Sequence, residues 1–164
     1  MERIEKLYDR FGDRLFHYLT LKLGSRTDAE DVMQEVLCRL LRYRSRFRLA
    51  RNPEAYVFRA ARNEALRFLN RNGHRPGPNP GEYTAAFRSV FSGPDPALID
   101  RAAGAPARIP ETQREVIVLK VFQDLSFREI GSVCGISPDT AASRYRYGLN
   151  KLRADMEGGH DKSR

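Results

Sequence analysis

The sequence predicts an all-α protein of two small helical domains joined by a flexible linker, and three observations predict it. Apolar residues recur with helical period along most of the chain, and no segment keeps the strict alternation of a half-buried strand. Six of the nine prolines, with five of the twelve glycines, fall in residues 73–106. The expected division is therefore residues 1–72, a linker over 73–106, a second domain over 107–155 and a tail over 156–164. Phe87, Val90 and Phe91 are the linker residues able to anchor a short helix, but its proline density predicts a mobile tether.

In the first domain, Ile4, Leu7, Tyr8, Phe11, Leu15 and Leu19 form the stripe of a first helix. Thr27-Asp28-Ala29-Glu30 has the spacing of a capping box and opens a second, with Val32, Met33, Val36, Leu37, Leu40 and Leu41 facing inward. Asn52-Pro53 pairs an N-cap residue with a proline tolerated in the first turn, and opens a third whose stripe is Val57, Ala61, Ala65 and Phe68. Beyond the linker, Ile109-Pro110 opens a segment apolar nearly all round from Val116 to Phe122. That pattern fits a buried helix or a short buried strand; the proline start and the length favour helix. A second capping box, Ser126-Phe127-Arg128-Glu129, and then Ser137-Pro138 open two more helices. The expected count is three helices before the linker and about four after it.

The 164 residues have room for one ordinary domain or two small ones. Twenty-nine Lys and Arg against 21 Asp and Glu give a net charge of +8, which suits a polyanionic partner or simply a solvated basic surface. The charge is uneven: residues 39–71 hold ten arginines and only Glu54 and Glu64, while residues 73–105 balance. Arginine supplies 24 of the 29 cations, and its planar fork suits phosphate and base edges. Apolar runs such as Val116–Leu119 end at a charge far short of the roughly 20 residues a bilayer requires. The charged start Met1-Glu2-Arg3 is no signal peptide, so a soluble, cytoplasmic protein without membrane insertion is expected. Cys38 and Cys134 are too far apart for a paired motif and read as small core residues; His17, His74 and His160 share no ligand spacing. No metal, cofactor or nucleotide-binding loop is predicted.

Two segments carry chemistry. Leu125 to Thr140 reads as a capped short helix, a glycine turn and the capped start of a second helix, which is helix-turn-helix spacing. Gly131 is small where the helices cross, Gly135 supplies a left-handed turn and Ile136 plugs the angle. Ala141, Tyr145, Leu149 and Leu152 share the inner face, leaving Asp139, Ser143, Arg146, Tyr147 and Asn150 outward, as a helix in a major groove or a plain helical hairpin requires. The second segment, residues 52–71, interleaves Tyr56, Arg59, Asn63, Arg67 and Asn70 on its non-core face. Rings and amides among arginines suit an unpaired nucleic-acid strand; a surface helix with a buried tyrosine reads the same way.

Residues 28–42, Asp28-Ala29-Glu30-Asp31-Val32-Met33-Gln34-Glu35-Val36-Leu37-Cys38-Arg39-Leu40-Leu41-Arg42, resemble region 2.2 of bacterial RNA polymerase sigma factors, in particular the extracytoplasmic-function (ECF) group of the sigma-70 family. The resemblance implies docking on a coiled coil of the polymerase largest subunit through Asp31, Gln34 and Glu35, whose spacing puts them on one helical face. Residues 52–71 resemble regions 2.3 and 2.4, which open and read the −10 promoter element. This implies such roles for Tyr56, Arg59, Arg62, Asn63, Arg67, Asn70 and Arg71. Residues 108–153 resemble region 4, which reads the −35 element, implying contacts from Arg128, Ser137, Thr140, Ser143, Arg144, Arg146 and Tyr147. Tyr56 stands where family members often carry Trp, and Arg67 where they often carry Asp. Ala141, Ala142 and Tyr147 replace a usual Val, a basic residue and a frequent Arg, changes that weaken or redirect −35 contacts.

The resemblance implies a non-enzymatic initiation factor with bacterial core polymerase, duplex and melted promoter DNA, and an anti-sigma factor as partners. The runner-up is a stand-alone helix-turn-helix regulator, which leaves the Asp31, Gln34 and Glu35 edge unexplained. A nuclease or recombinase ranks third for want of clustered carboxylates. A second domain this small has a core worth at most roughly 3–5 kcal/mol, so it is expected to be ordered by polymerase or an inhibitor.

Overall fold

The computed structural model describes residues 2–73, 77–91 and 94–161, and every regular element among them is helical. His74, Pro76 and the residues from 162 onward lie outside the described residues, as do the side chains of Ile4 and His160.

Helix α1 (Glu2–Leu23) buries Phe11, Leu15 and Leu19 as its period predicts, together with Tyr18, Leu21 and Leu23. Tyr8 departs from the expected stripe and is 55% exposed. At Gly24 the backbone turns with φ +74°, a conformation glycine adopts without strain, and the next residue, Ser25, is already extended. The cap of α2 (Arg26–Arg42) is therefore Ser25, whose hydroxyl accepts from the Asp28 amide, and not Thr27, which lies inside the first turn. Val32, Met33, Val36 and Leu40 of α2 are buried. Cys38 is exposed rather than in the core, because position 38 falls on the opposite side from 36 and 40. A six-residue helix not foreseen in the sequence, α3 (Arg44–Leu49), carries Arg44, Arg46 and Arg48 and buries nothing. Helix α4 (Pro53–Arg71) starts as predicted, with the Asn52 side chain accepting from the Ala55 amide and Pro53 in the first turn.

The expected tether is instead two packed helices, α5 (Pro80–Val90) and α6 (Pro96–Ala107). Here proline marks helix starts. Pro80 and Pro96 open their helices, where a missing N–H costs nothing, and Pro106 lies one residue from the end of α6. Asn79 caps α5 through the Glu82 amide, and Tyr83, Ala86 and Phe87 are buried as α5 packs on α1 and α6.

The second unit has three helices and a π turn where about four helices were expected. Helix α7 (Glu111–Ile117) begins after Pro110, whose carbonyl accepts from Gln113 and Arg114, so Pro110 is the cap and not the first helical residue. The chain runs on through a π turn (Val118–Phe122); Val116 to Leu119 are buried, whereas Val121 and Phe122 emerge. Helix α8 (Phe127–Cys134) opens on the predicted capping box, both halves formed, and ends on Gly135 at φ +70°. Helix α9 (Pro138–Asp161) continues without a break through residues 156–161, which the sequence assigned to a tail. Helices α7 and α8 pack on α9, and α8 also packs on α4. The buried residues of both units and of α5 and α6 form one contiguous cluster. Through the contact of α8 with α4, the second unit packs on the first unit of its own chain.

Candidate nucleic-acid interface

The end of α2, α3 and the outer face of α4 enclose an open groove of about 280 Å³. Four residues predicted from the sequence, Tyr56, Arg59, Asn63 and Arg67, line it. Three more that the sequence reading missed, Arg39, Tyr43 and Arg46, complete it. Their signal was present: Tyr43-Arg44-Ser45-Arg46 repeats the aromatic and arginine interleaving of α4, but no helix was assigned there. Beneath the groove the Glu64 carboxylate, 5% exposed, accepts from Arg67 Nη1 at 2.6 Å and forms an ion pair with Arg39 Nε at 2.6 Å. One buried carboxylate thus positions two cationic walls. The Arg46 guanidinium lies 5.2 Å over the Tyr43 ring, and Phe47 supports Tyr56 at 5.9 Å between centroids. Rings for stacking, an amide edge at Asn63 and cations around the rim are the groups that hold an extruded base and its flanking phosphates. Asn70 and Arg71 are exposed farther along α4, outside the groove.

The second surface is the α8–α9 pair. A Cβ on Gly131 would come within 2.6 Å of the Ile136 carbonyl oxygen, so glycine there sets how closely the turn approaches α8. Ala141 is buried, and Tyr145 packs against Phe127 at 5.5 Å, which turns the predicted residues outward. Ser137, Thr140, Arg146, Tyr147 and, on α8, Arg128 are exposed; Ser143 and Arg144 are half-buried. The Ser137 hydroxyl accepts from the Thr140 amide and donates to the Thr140 hydroxyl at 2.9 Å, while Arg146 lies 5.6 Å over Tyr147. The first turn of α9 therefore offers small hydroxyls and the third an arginine on an aromatic ring, which suits approach to base edges followed by backbone contact.

Arg62 does not join the groove. It points from α4 to α7, where its Nε donates to Glu115 at 2.8 Å. The same carboxylate accepts from the Tyr18 hydroxyl at 2.8 Å and lies 3.3 Å from Lys22 Nζ. Burial alone would push the Glu115 carboxyl up, but Lys22, Arg62 and the hydrogen bonds from Arg62 and Tyr18 together hold it below the ordinary carboxylate range. Burial and then the Glu115 charge push the Tyr18 hydroxyl well above its usual value and the Cys134 thiol up to about 12.

Asp31, Gln34 and Glu35 are all exposed on α2. Gln34 borders a second open groove, about 570 Å³, between α1, α2 and the end of α5, where Tyr8, Phe16, Met33 and Leu37 supply an apolar floor. A polar edge beside an apolar trough has the form of the grooves that accept amphipathic helices. Among the described residues no helix is long and apolar enough to cross a membrane.

Comparison with known proteins matches residues 7–75 to the Sigma-70 region 2 family and residues 106–152 to the Sigma-70 region 4 family. The ECF RNA polymerase sigma factor RpoE of Cereibacter sphaeroides is 30% identical over 164 residues, spanning 92% of this chain and 84% of that protein. The RNA polymerase sigma factor CarQ of Myxococcus xanthus is 29% identical, spanning 93% and 88%. Among solved structures, the sigma factor RpoE bound to the anti-sigma factor NepR from Bartonella quintana has a TM-score of 0.74 at 19% identity, covering 96% of this chain and 98% of that one. CnrH in complex with the cytosolic domain of CnrY gives 0.69 at 23% identity, covering 96% and 90%. At those identities the likeness establishes the all-helical fold.

Proposed function

The chain belongs to the ECF group of sigma-70 RNA polymerase sigma factors, and from that premise we propose how its surfaces divide the work of promoter recognition and initiation. Residues 1–72 carry core binding and the −10 element, and residues 107–155 the −35 element. Asp31, Gln34 and Glu35 dock on core polymerase, with the apolar trough beside them receiving part of it. The α3–α4 groove takes a base as it leaves the duplex: Tyr43 or Tyr56 stacks on it, Asn63 reads its edge, and Arg39, Arg46, Arg59 and Arg67 hold the backbone. Helix α9 enters the major groove through Ser137, Thr140 and Ser143, with Arg128, Arg144 and Arg146 on phosphates. Asn70 and Arg71 extend the cationic track beyond the groove.

The observation that carries this reading is the groove, with rings, an amide and paired arginines set over a buried carboxylate, in the same chain as a capped helix-turn-helix. Opening is then driven by binding, because part of the contact exists only once the strands part, and the chain acts in the cytoplasm without catalysing a reaction. The similar RpoE of Bartonella quintana is held in complex with an anti-sigma factor, and a partner of that kind covering these surfaces would silence this chain.

The test is run-off transcription with purified bacterial core polymerase. Core-dependent initiation is expected with the wild-type chain, and its loss with Asp31→Lys plus Glu35→Lys. Full activity of that variant removes the docking assignment. Tight, specific duplex binding without polymerase would favour the stand-alone regulator.

A further inference from the structure

Shape rejects no base in the open α3–α4 groove, so hydrogen bonding must choose among them. Its side chains are unbalanced for that choice. Arg39, Arg46, Arg59 and Arg67 bring four guanidinium groups, which only donate, and no Asp or Glu lines the groove. The Glu64 carboxylate lies beneath, its Oε1 shared by Arg39 and Arg67. Of the lining side chains, only the Asn63 amide and the hydroxyls of Tyr43 and Tyr56 can accept from a base.

The four cations are not equivalent. Arg46 lies over the Tyr43 ring at 5.2 Å, and Arg67 reaches Glu64 through Nη1, which engages one tip of its fork. Arg59 is exposed, with no ion pair among the described residues. Arg39 pairs instead through Nε, at 2.6 Å to a carboxylate whose side chain is 6% exposed. That anchors the root of its fork and leaves both tips, Nη1 and Nη2, without an ion pair among the described residues. Tyr43 stands four residues on, one turn farther along the same side of α2, and lines the groove too. A base stacked on that ring therefore has an edge near the Arg39 fork.

A fork held at its root complements two adjacent acceptors. Guanine presents them as O6 and N7 on one edge, whereas adenine sets an amino donor beside N7, which would face a guanidinium and lose its water. Thymine offers only single acceptors. Cytosine pairs O2 with N3, but its smaller ring covers less of Tyr43, and its amino group adjoins the pair. The Asn63 amide alone would favour adenine; charge-assisted bonds from a fork outweigh one neutral amide.

We propose that Arg39 is a specificity-determining residue of the groove and selects guanine as the unpaired base taken there. The choice rests on the groove receiving an unpaired base, as proposed above. It gives Arg39 a role in reading beyond the backbone contact it shares with the other three arginines.

The test uses holoenzyme assembled with bacterial core polymerase and a forked fragment, unpaired over its −10 segment, of a promoter on which that holoenzyme initiates. Each unpaired position carries each of the four bases in turn, and affinity is read by fluorescence anisotropy. At one position guanine is expected to bind about 5- to 50-fold more tightly than the other bases, the span of one bidentate base contact. Arg39→Lys keeps the charge and loses the fork, so the preference should fall below about twofold. Arg59→Ala should weaken all four fragments alike and preserve the ratio. 7-Deazaguanine at that position lacks the N7 acceptor; it should reproduce the loss with the wild-type chain and change nothing with Arg39→Lys, a readout independent of any effect on folding. Preference for adenine, thymine or cytosine, or a guanine preference that survives Arg39→Lys, overturns the proposal. So does indifference to base at every position while Tyr43→Ala with Asn63→Ala still weakens binding, and in that case the unpaired-base reading stands. If that double variant also binds like wild type, the groove reading itself falls, and the assignment of Arg39 with it.

Discussion

The groove on α3 and α4 is concave and walled by arginines that a buried carboxylate fixes in place, whereas the outer face of α9 is convex, and its small hydroxyls bond mainly to one another. The first geometry suits an object that can be surrounded, such as a single base swung out of its stack. The second suits an object that surrounds the helix, such as the walls of a major groove. Selectivity should therefore be concentrated in a few residues of the groove and spread thinly along α9. The difference extends to support. The groove stands on the large core of α1, α2 and α4, while α7 to α9 borrow part of theirs from α4.

The largest effect is expected where contacts are concentrated. Tyr43→Ala with Asn63→Ala removes a stacking ring and a reading edge, together worth about 2–4 kcal/mol or roughly 30- to 900-fold. Run-off transcription from a duplex promoter should fall by that factor and recover largely on a template whose −10 segment is already unpaired. Equal loss on both templates would mean that the groove grips the duplex, and the contrast with α9 would fail.

Next comes the support of the second surface. Gly131→Ala drives a methyl group into backbone, the Ile136 carbonyl oxygen at 2.6 Å, which a turn cannot yield cheaply; about 1–3 kcal/mol and several degrees of melting temperature are expected. Gly148 is the control. Its added Cβ would crowd the Ile117 Cδ1 at 2.7 Å, the tip of a flexible side chain, with Gln113 Cβ and Ile117 Cγ1 at ordinary contact distances of 3.4 and 3.5 Å, so Gly148→Ala should cost less. Thermal unfolding followed by circular dichroism compares them, and the reverse order would mean that the α8–α9 angle is set elsewhere. A smaller loss is expected from Glu64→Gln, which keeps the shape but releases Arg39 and Arg67. Both arginines are substantially exposed, so only about 1 kcal/mol, near fivefold in initiation, should follow.

Local chemistry was legible in the sequence and long-range partnership was not. The capping box at Ser126, the cap at Asn52 and the glycines at 131 and 135 are determined within a few residues, and each stands where its spacing put it. The same local rule misled at Thr27, since a better-placed serine two residues earlier follows the Gly24 turn. It misled more widely over 73–106, where prolines signal helix starts as well as breaks, and only the burial of Tyr83 and Phe87 against α1 distinguishes the two. Half of the groove was visible because α4 carries a stripe; Arg39, Tyr43 and Arg46 come from the end of α2, the bend after it and the six-residue α3, which is too short for a period to detect. Glu115 sits immediately before a run that reads as plain core, and its partners at 18, 22 and 62 are distant in sequence, so nothing local could announce them.

The smallest expected effect tests the convex surface directly. Arg144→Ala and Arg146→Ala each remove one cation from α9, and if each meets a phosphate, the cost is counterion release and not base reading. Binding of the polymerase complex to promoter DNA should weaken by about 1 kcal/mol or less per substitution, alike for consensus and altered −35 sequences. The slope of log affinity against log salt should fall by about 1 each time. Arg146 is the more informative, because it lies over the Tyr147 ring, itself 55% exposed, and its loss leaves that ring with no cation above it. A change in −35 sequence preference with Arg146→Ala, at unaltered salt slope, would show that Arg146 and Tyr147 together read a base. The convex face would then concentrate its selectivity as the groove does, and the contrast between the two surfaces would have to be redrawn around that pair.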